Sequence, residues 1–207
     1  MTIWQRLATQ TLEGTGKLEV TIAKMRWLKV EVYVKGFSPA DCSMQFGVDD
    51  GAIITSGGKY ATTVSIDGAT DTYKEDENHI RVNQSAGDTS GQAMDCWATI
   101  NIENQSGVWK FMNIEALQCN GPDSDDVVHR NFNNGVLNET GQITKIKMDG
   151  NLGNHLTGSS ITVYGADDTG TGTTYPDLPN GTIFNETDAY KYFMWNGTDT
   201  WNQMVSS

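Results

Sequence analysis

The chain has 207 residues and a formal net charge of −12, from 14 Lys and Arg against 26 Asp and Glu. Binding to nucleic acid depends on clusters of Lys and Arg that displace counterions from phosphates, so this charge argues against a nucleic-acid partner. Hydrophobic residues make up only 37% of the chain and 22 residues are glycine, a balance typical of short strands joined by many turns.

Side-chain alternation begins near the N-terminus. Residues 3–12 predict an edge strand. Leu18, Val20 and Ile22 then alternate with polar residues and predict a second strand. Because only residues 23–26 separate this strand from the next one, we expect the two to pair as neighbours.

The segment WLKVEVYVKG, Trp27 to Gly36, has the clearest alternation in the chain. Its apolar side chains share one side of an extended backbone; they are Leu28, Val30, Val32 and Val34. Lysines, Glu31 and Tyr33 occupy the other side. This pattern predicts a central strand with one face in a core and the other in water.

The region from Cys42 to Met94 contains weaker signals. Residues 42–48 alternate and predict a strand that ends at Asp49-Asp50-Gly51. Residues 59–66 and 79–83 predict two further strands, with loops rich in Gly, Asp and Thr around them.

Alternation returns after this region. Residues 94–102 and 108–118 predict a hairpin around the turn Gln105-Ser-Gly107. An acidic loop follows, and we expect a helical turn through Arg130 and a short strand at Val136-Leu137. Residues 143–148 and 160–164 predict the last strands of the domain.

No window of eleven or more residues has a helical period, so the predicted fold class is all-β. We expect an antiparallel β-sandwich, jelly-roll-like, over residues 1–165. Residues 166–179 predict a flexible linker, because they lack large apolar side chains. Residues 180–207 predict a C-terminal module with a β-hairpin that turns at Asn196-Gly197.

The three cysteines, Cys42, Cys96 and Cys119, are odd in number and have no C-x-x-C spacing. Cys42 and Cys96 lie on the apolar sides of predicted strands, so we expect buried free thiols, with a disulfide as the alternative. The first ten residues do not resemble a signal peptide, and no run approaches the ~20 apolar residues that span a membrane. Synthesis in the cytoplasm and no membrane partner are therefore expected, unless the protein leaves by another route.

Few residues carry a pattern that points to catalysis. The histidines, His79, His129 and His155, are far apart and match no metal or catalytic spacing. Glu75-Asp76-Glu77 offers carboxylates for glycoside hydrolysis, but adjacent residues of an extended chain point apart, which favours a solvated loop. The sequence therefore predicts no enzyme, no catalytic residue and no cofactor.

A cluster of aspartates is the weak candidate for a metal site. Asp123, Asp125 and Asp126 supply oxygen ligands of the kind that calcium takes from loops. The spacing is not that of an EF-hand, because no glycine or distal glutamate follows at the right distance. We expect no metal here, with calcium as the minor alternative.

Two aromatic residues, Tyr33 and Trp97, fall on the polar sides of their predicted strands. Exposed aromatic rings can stack on sugar rings, so these residues are candidates for a carbohydrate-binding surface. Tyr and Trp are also enriched in contacts between subunits. We favour the subunit contact over the carbohydrate.

Three stretches together resemble a known family: WLKVEVYVKG at 27–36, LTGSSITVYG at 156–165 and LPNGTIFNETD at 178–188, which continues into YKY and WNG. They are similar to virion proteins of tailed bacteriophages, especially marine ones, described as structural, tail-fibre or capsid-decoration proteins. In those proteins a β-sandwich is often followed by a similar C-terminal module. Asn185 stands where that family usually has an acidic residue.

The resemblance implies a non-enzymatic virion protein, made in the host cytoplasm, that acts as a capsid decoration, fibre or tail component. We expect homo-oligomers, specifically trimers, and contacts with other virion proteins such as major capsid or tail proteins. The expected assembly interface consists of C-terminal apolar residues: Ile183, Phe184, Tyr192, Trp195 and Trp201. The alternative is a carbohydrate- or receptor-binding module at a fibre tip that recognises a host surface glycan, and a polysaccharide-degrading enzyme ranks third.

Overall fold

The computed structural model of the chain describes residues 4–37, 42–66, 72–83, 94–120, 128–150 and 154–167, and three short strands between 183 and 204. The chain divides into two compact units, Ile3–Ala166 and a second unit that includes Asp167–Ser207.

Fifteen strands form the described secondary structure, and none of the described residues is helical. In chain order they are β1 Gln5–Thr11, β2 Leu18–Thr21, β3 Trp27–Phe37, β4 Cys42–Val48, β5 Tyr60–Ile66, β6 Thr72–Glu77, β7 Ile80–Asn83, β8 Met94–Glu103, β9 Lys110–Asn120, β10 Val128–Leu137, β11 Ile143–Gly150, β12 Ser160–Ala166, β13 Ile183–Glu186, β14 Lys191–Trp195 and β15 Trp201–Met204. The described residues therefore include no helix that could span a membrane.

The larger sheet of the first unit has eight antiparallel strands, in the order β1-β12-β3-β8-β9-β10-β5-β6. β3 lies inside this sheet, paired with β12 on one side and β8 on the other. Its four alternating apolar side chains are buried, as the sequence predicts. β1 lies at one edge, which confirms the prediction of an edge strand near the N-terminus.

The smaller sheet has four strands, in the order β2-β11-β4-β7. One hydrophobic core contains side chains from both sheets, for example Val30 and Ile100 of the larger sheet with Phe46 and Ile146 of the smaller one. The predicted all-β antiparallel sandwich is therefore confirmed. The jelly-roll order of the strands stays a prediction.

The pairing of β2 with β3 was predicted wrongly, because the two strands belong to different sheets. β2 pairs with β11 in the smaller sheet. The connection between β2 and β3 contains Ile22 and Met25, and both side chains are buried in the core. Residues 22–26 therefore carry the chain from one sheet across to the other, whereas a hairpin turn would place polar or glycine residues in solvent.

Two further predictions were wrong. The helical turn through Arg130 and the short strand after it are one ten-residue strand, β10. Glu75-Asp76-Glu77 does not form a loop but ends β6, an edge strand that pairs with β5. Charged residues on an edge strand protect the sheet against pairing with another chain. Because the charged residues of β6 are consecutive, its sequence lacks the alternation of polar and apolar residues that predicts a strand.

A chain of buried amides connects the two sheets at β7. Asn83 of β7 donates from Nδ2 to Oε1 of Gln118 on β9, over 2.5 Å, and its Oδ1 accepts a hydrogen bond from Nδ2 of Asn131 on β10. Asn133, also on β10, donates to the carbonyl of Val82 at 3.0 Å. All four amide side chains are buried, and Oδ1 of Asn131 accepts no hydrogen bond within the described residues.

The predicted hairpin at residues 94–118 is formed by β8 and β9. Its turn contains Gly107 at a φ of 85°, a conformation that favours glycine. Lys110, the first residue of β9, is fully buried and its Nζ donates to the carbonyls of Gln105 at 2.6 Å, Val108 at 2.5 Å and Thr140 at 3.3 Å. Burial lowers the pKa of Lys110, because the charged form loses solvation.

Cys42 and Cys96 are buried and form no disulfide, as predicted. The side chain of Cys119 lies outside the described residues. β12 extends to Ala166, one residue into the predicted linker, and most of that linker also lies outside the described residues.

Gly165, near the end of β12, is tightly enclosed. A Cβ at this position would approach Cδ1 of Leu7 and Cγ of Met25 to 2.6 Å. We expect Gly165→Val to lower the free energy of unfolding by about 1–3 kcal/mol through overpacking, measured by urea unfolding. The matched control is Gly14→Val, since a Cβ at Gly14 meets no atom within 4 Å. Equal stability of the two variants would contradict this tight packing.

The C-terminal unit contains a three-stranded antiparallel sheet in the order β13-β14-β15. Trp195 and Trp201 are paired positions of β14 and β15. The turn predicted at Asn196-Gly197 lies outside the described residues, and the hairpin as a separate appendage stays a prediction.

Candidate interaction surface

The outward face of the eight-stranded sheet carries large apolar side chains where a sandwich normally presents polar ones. Trp97 on β8 is 62% exposed, Leu117 on β9 is 44% exposed and Phe132 on β10 is 47% exposed. Trp97 and Leu117 are paired positions, and Phe132 lies diagonally across from Leu117. We call these three residues, together with Tyr33 and Arg130, the Trp97 patch.

The structure brings the two predicted ligand-binding residues together. Tyr33 on β3 and Trp97 on β8 are paired positions, and their ring centroids lie 6.4 Å apart with the planes at 60°. The hydroxyl of Tyr33 donates to Oδ2 of Asp95 over 2.9 Å, so it is already occupied within the protein. Tyr33 is half-buried, and the open ring of this pair is therefore that of Trp97.

Charged groups border the other side of the Trp97 patch. The guanidinium of Arg130 lies 4.2 Å from the ring centroid of Phe132, a cation–π contact. The same guanidinium is 2.5 Å from Oε1 of Glu115. Both charged side chains are about half exposed, so this ion pair contributes little to stability but defines a polar edge for the apolar surface.

Sequence reasoning found Tyr33 and Trp97 but missed Leu117 and Phe132. β10 has its polarity inverted, since Asn131 and Asn133 are buried while Phe132 between them is exposed. From the sequence alone, the pattern Asn-Phe-Asn therefore predicts that Phe132 faces the core and that the two asparagines face solvent.

A second aromatic area lies toward the other end of the same face. An open groove of about 420 Å3 is lined there by aromatic rings, by aliphatic side chains of the strands and by amides. We call it the Trp4 groove and define it by Trp4, Trp27, Asn101, Phe111, Asn113 and Asn134. Trp4 is 48% exposed and Phe111 is 55% exposed, and the guanidinium of Arg26 lies 5.3 Å from the ring centroid of Trp27.

The three asparagines of the groove form a row across three neighbouring strands. Asn101 of β8 is paired with Asn113 of β9, which is paired with Asn134 of β10. Nδ2 of Asn113 donates to Oδ1 of Asn134 over 3.2 Å. All three side chains face solvent, so their other amide donors and acceptors can be reached from outside.

The calcium candidates Asp123, Asp125 and Asp126 lie outside the described residues. Within the described residues, no three His, Cys, Asp or Glu side chains come together as a metal site. The expected interface residues lie on the C-terminal strands, and their side chains are outside the described part of the chain: Ile183, Phe184, Tyr192, Trp195 and Trp201.

Two of the three histidines have described side chains. His79 lies next to β7, with Nε2 3.9 Å from Oε2 of Glu77 and Nδ1 2.6 Å from Oδ1 of Asn78. His155 is buried, and its backbone pairs with Gly16. The two therefore have separate local surroundings.

Comparison with known proteins found no family model that matches this chain, no similar curated protein and no similar solved structure.

Proposed function

We propose that this protein is a non-enzymatic structural component of a bacteriophage virion that assembles through contacts between its own copies. It is made in the host cytoplasm and takes its place in the particle as a capsid decoration, fibre or tail component. The proposed oligomer is a trimer, and the proposed further partners are major capsid or tail proteins. The three sequence stretches similar to phage virion proteins support this assignment.

One feature carries the self-assembly part of the proposal. Trp97, Leu117 and Phe132 are large, apolar and side by side on three neighbouring inner strands of the sheet. Burying them between subunits recovers the free energy that their exposure to water costs. Trp is also among the residue types that dominate binding energy at protein interfaces.

The Trp97 patch is too small to hold an oligomer together alone. Its three apolar side chains expose on the order of 300 Å2, whereas a stable interface buries about 800 Å2 on each partner. The patch is therefore proposed as the centre of the contact. The C-terminal residues of the expected interface are proposed as a further contact between copies: Ile183, Phe184, Tyr192, Trp195 and Trp201.

Light scattering coupled to size exclusion tests this proposal. We expect the full chain to have three times its chain mass of 22.7 kDa. Trp97→Asp places a charge in the contact and is expected to weaken association at least roughly 30-fold, the effect of losing about 2 kcal/mol at a central residue. The control is Trp109→Asp, because Trp109 is 50% exposed but lies outside the Trp97 patch.

A stable monomer at every concentration, which also fails to bind phage particles, would count against the proposal. The competing use of the same residues is a host glycan stacked on Trp97 beside Tyr33. If Trp97→Ala keeps the oligomer but loses retention on a glycan array, the patch is a glycan site. Assembly is preferred because Leu117 and Phe132 extend the apolar surface beyond the single open ring of Trp97.

A further inference from the structure

The Trp4 groove has the dimensions and lining of a small-ligand site. Its volume of about 420 Å3 lies in the range of roughly 300–1,000 Å3 that is usual for such sites. Trp4 and Phe111 provide two half-exposed aromatic rings, and Trp27, the first residue of β3, is half-buried. These rings provide apolar, flat walls.

The asparagine row adds hydrogen-bonding groups to these walls. A primary amide has two donors and an acceptor with two lone pairs, so it can satisfy a group that both donates and accepts. The bond from Asn113 to Asn134 uses one donor and one acceptor and orients both side chains. A hydroxyl group is the complementary ligand group, since it also donates and accepts.

The strands of the groove exclude a peptide that adds to the sheet. β8 is paired with β3 and β9, and β9 is paired with β8 and β10. Their backbone groups are therefore already used in the sheet, whereas β-augmentation needs an unpaired edge. Any ligand of this groove must be recognised through side chains.

Charge and polarity narrow the ligand class further. Glu103 lines the groove and the chain carries a net charge of −12, which disfavours anionic ligands. A purely alkyl ligand would remove the asparagine amides from water without supplying partners, which costs free energy. An uncharged ring compound with many hydroxyls matches both the aromatic walls and the asparagine row.

We propose that the Trp4 groove binds a neutral oligosaccharide. The apolar faces of its sugar rings lie against Trp4 and Phe111, and its hydroxyls bond to Asn113 and Asn134. The site shares no residue with the Trp97 patch: Phe111 and Leu117 lie six positions apart on β9, about 20 Å, although Asn134 and Phe132 are only two positions apart on β10. The proposal therefore does not depend on self-assembly through that patch.

Affinity electrophoresis tests this proposal with the full chain. The probes are gels that contain one neutral polysaccharide each, namely galactomannan, xyloglucan, starch or mannan, and one gel with anionic alginate. We expect retardation by at least one neutral probe and none by alginate. Trp4→Ala and Asn113→Ala are each expected to weaken the retarding interaction roughly tenfold.

The controls separate this site from the assembly patch. Trp109→Ala removes an equally exposed tryptophan that does not line the groove, and Trp97→Asp disturbs the proposed contact between copies; both should be retarded like the parent. Near-ultraviolet circular dichroism confirms that each variant is folded. A protein that proves monomeric but is still retarded supports the groove site, although the assembly proposal then fails.

Three results would overturn the proposal. One is the absence of retardation by every neutral probe. Another is retardation that neither Trp4→Ala nor Asn113→Ala reduces. The third is a lower oligomer mass for these two variants with unchanged retardation, since the groove would then be a contact with a second copy of the chain.

Discussion

Asn83→Ala is expected to lower the free energy of unfolding by about 3–5 kcal/mol. The substitution removes the partner of Oε1 of Gln118 and of Nδ2 of Asn131, and both groups are buried. A buried polar group that loses a hydrogen bond costs about 1–3 kcal/mol, and this variant removes one hydrogen bond from each of two such groups. Urea unfolding followed by tryptophan fluorescence measures the loss.

Two further variants make this prediction specific. Asn113→Ala removes an asparagine from an exposed amide pair, and its effect should stay within about 0.5 kcal/mol. Replacing Asn83, Gln118 and Asn131 together by leucine removes both ends of each hydrogen bond, so part of the stability should return. A loss below about 1 kcal/mol for Asn83→Ala would mean that water reaches these amides.

The alternating strands could be predicted from the sequence because their burial follows polarity. β3 and β8 both have buried apolar residues at every second position, for example Val30 and Val32 on β3 and Ile100 and Ile102 on β8. The fold class follows from this period alone. The pairing of β2 did not follow, since the period says nothing about which sheet a strand joins.

β10 could not be recognised because its burial opposes polarity. Asn131 and Asn133 are inward only because Asn83, Val82 and Ser65 supply hydrogen bonds from far away in the sequence. Such partners are known only after the fold is known. Strands whose burial does not follow polarity are common at functional sites, and the exposed Phe132 lies on such a strand.

The candidate surface was predictable only in part for the same reason. The side chains of Tyr33 and Trp97 were recognised as outward-facing from each strand's own alternation. Their contact depends on the register between β3 and β8, which the sequence does not specify. The Trp4 groove was missed entirely, because Trp4 and Phe111 are distant in sequence and line the same groove only through the order of strands in the sheet.

Stability between pH 10 and 12 is expected to depend on Tyr60. Its side chain is 2% exposed, its hydroxyl donates to the carbonyl of Ile54 over 3.0 Å, and it accepts from the backbone N–H of Phe46 over 3.0 Å. Burial raises the pKa of Tyr60 from 10.0 to about 12. The negative tyrosinate is disfavoured there because it would lose its solvation.

The sign of the effect follows from proton binding. Below pH 10 the hydroxyl is protonated in the folded and the unfolded chain, and its contribution to stability is complete. Between pH 10 and about 12 the unfolded chain releases this proton while the folded chain keeps it, so stability falls as the pH rises. Each pH unit lowers the free energy of unfolding by about 1.4 kcal/mol, so the loss between pH 10 and 12 reaches roughly 3 kcal/mol.

Tyr60→Phe isolates this contribution, because phenylalanine cannot ionise. At pH 9 we expect the variant to be less stable than the parent by about 1–2 kcal/mol, the value of its lost hydrogen bonds. Near pH 12 we expect the variant to be more stable than the parent, because only the parent loses stability through the ionisation of Tyr60. The pKa of Lys110 is lowered in the folded protein, so its ionisation makes stability rise with pH, the opposite of the effect of Tyr60. Lys110 is present in both the parent and the variant, and its effect therefore cancels when their stabilities are compared. Urea unfolding of both proteins from pH 9 to 12 is the measurement, and a constant difference between them would show that the hydroxyl of Tyr60 reaches solvent in the folded protein.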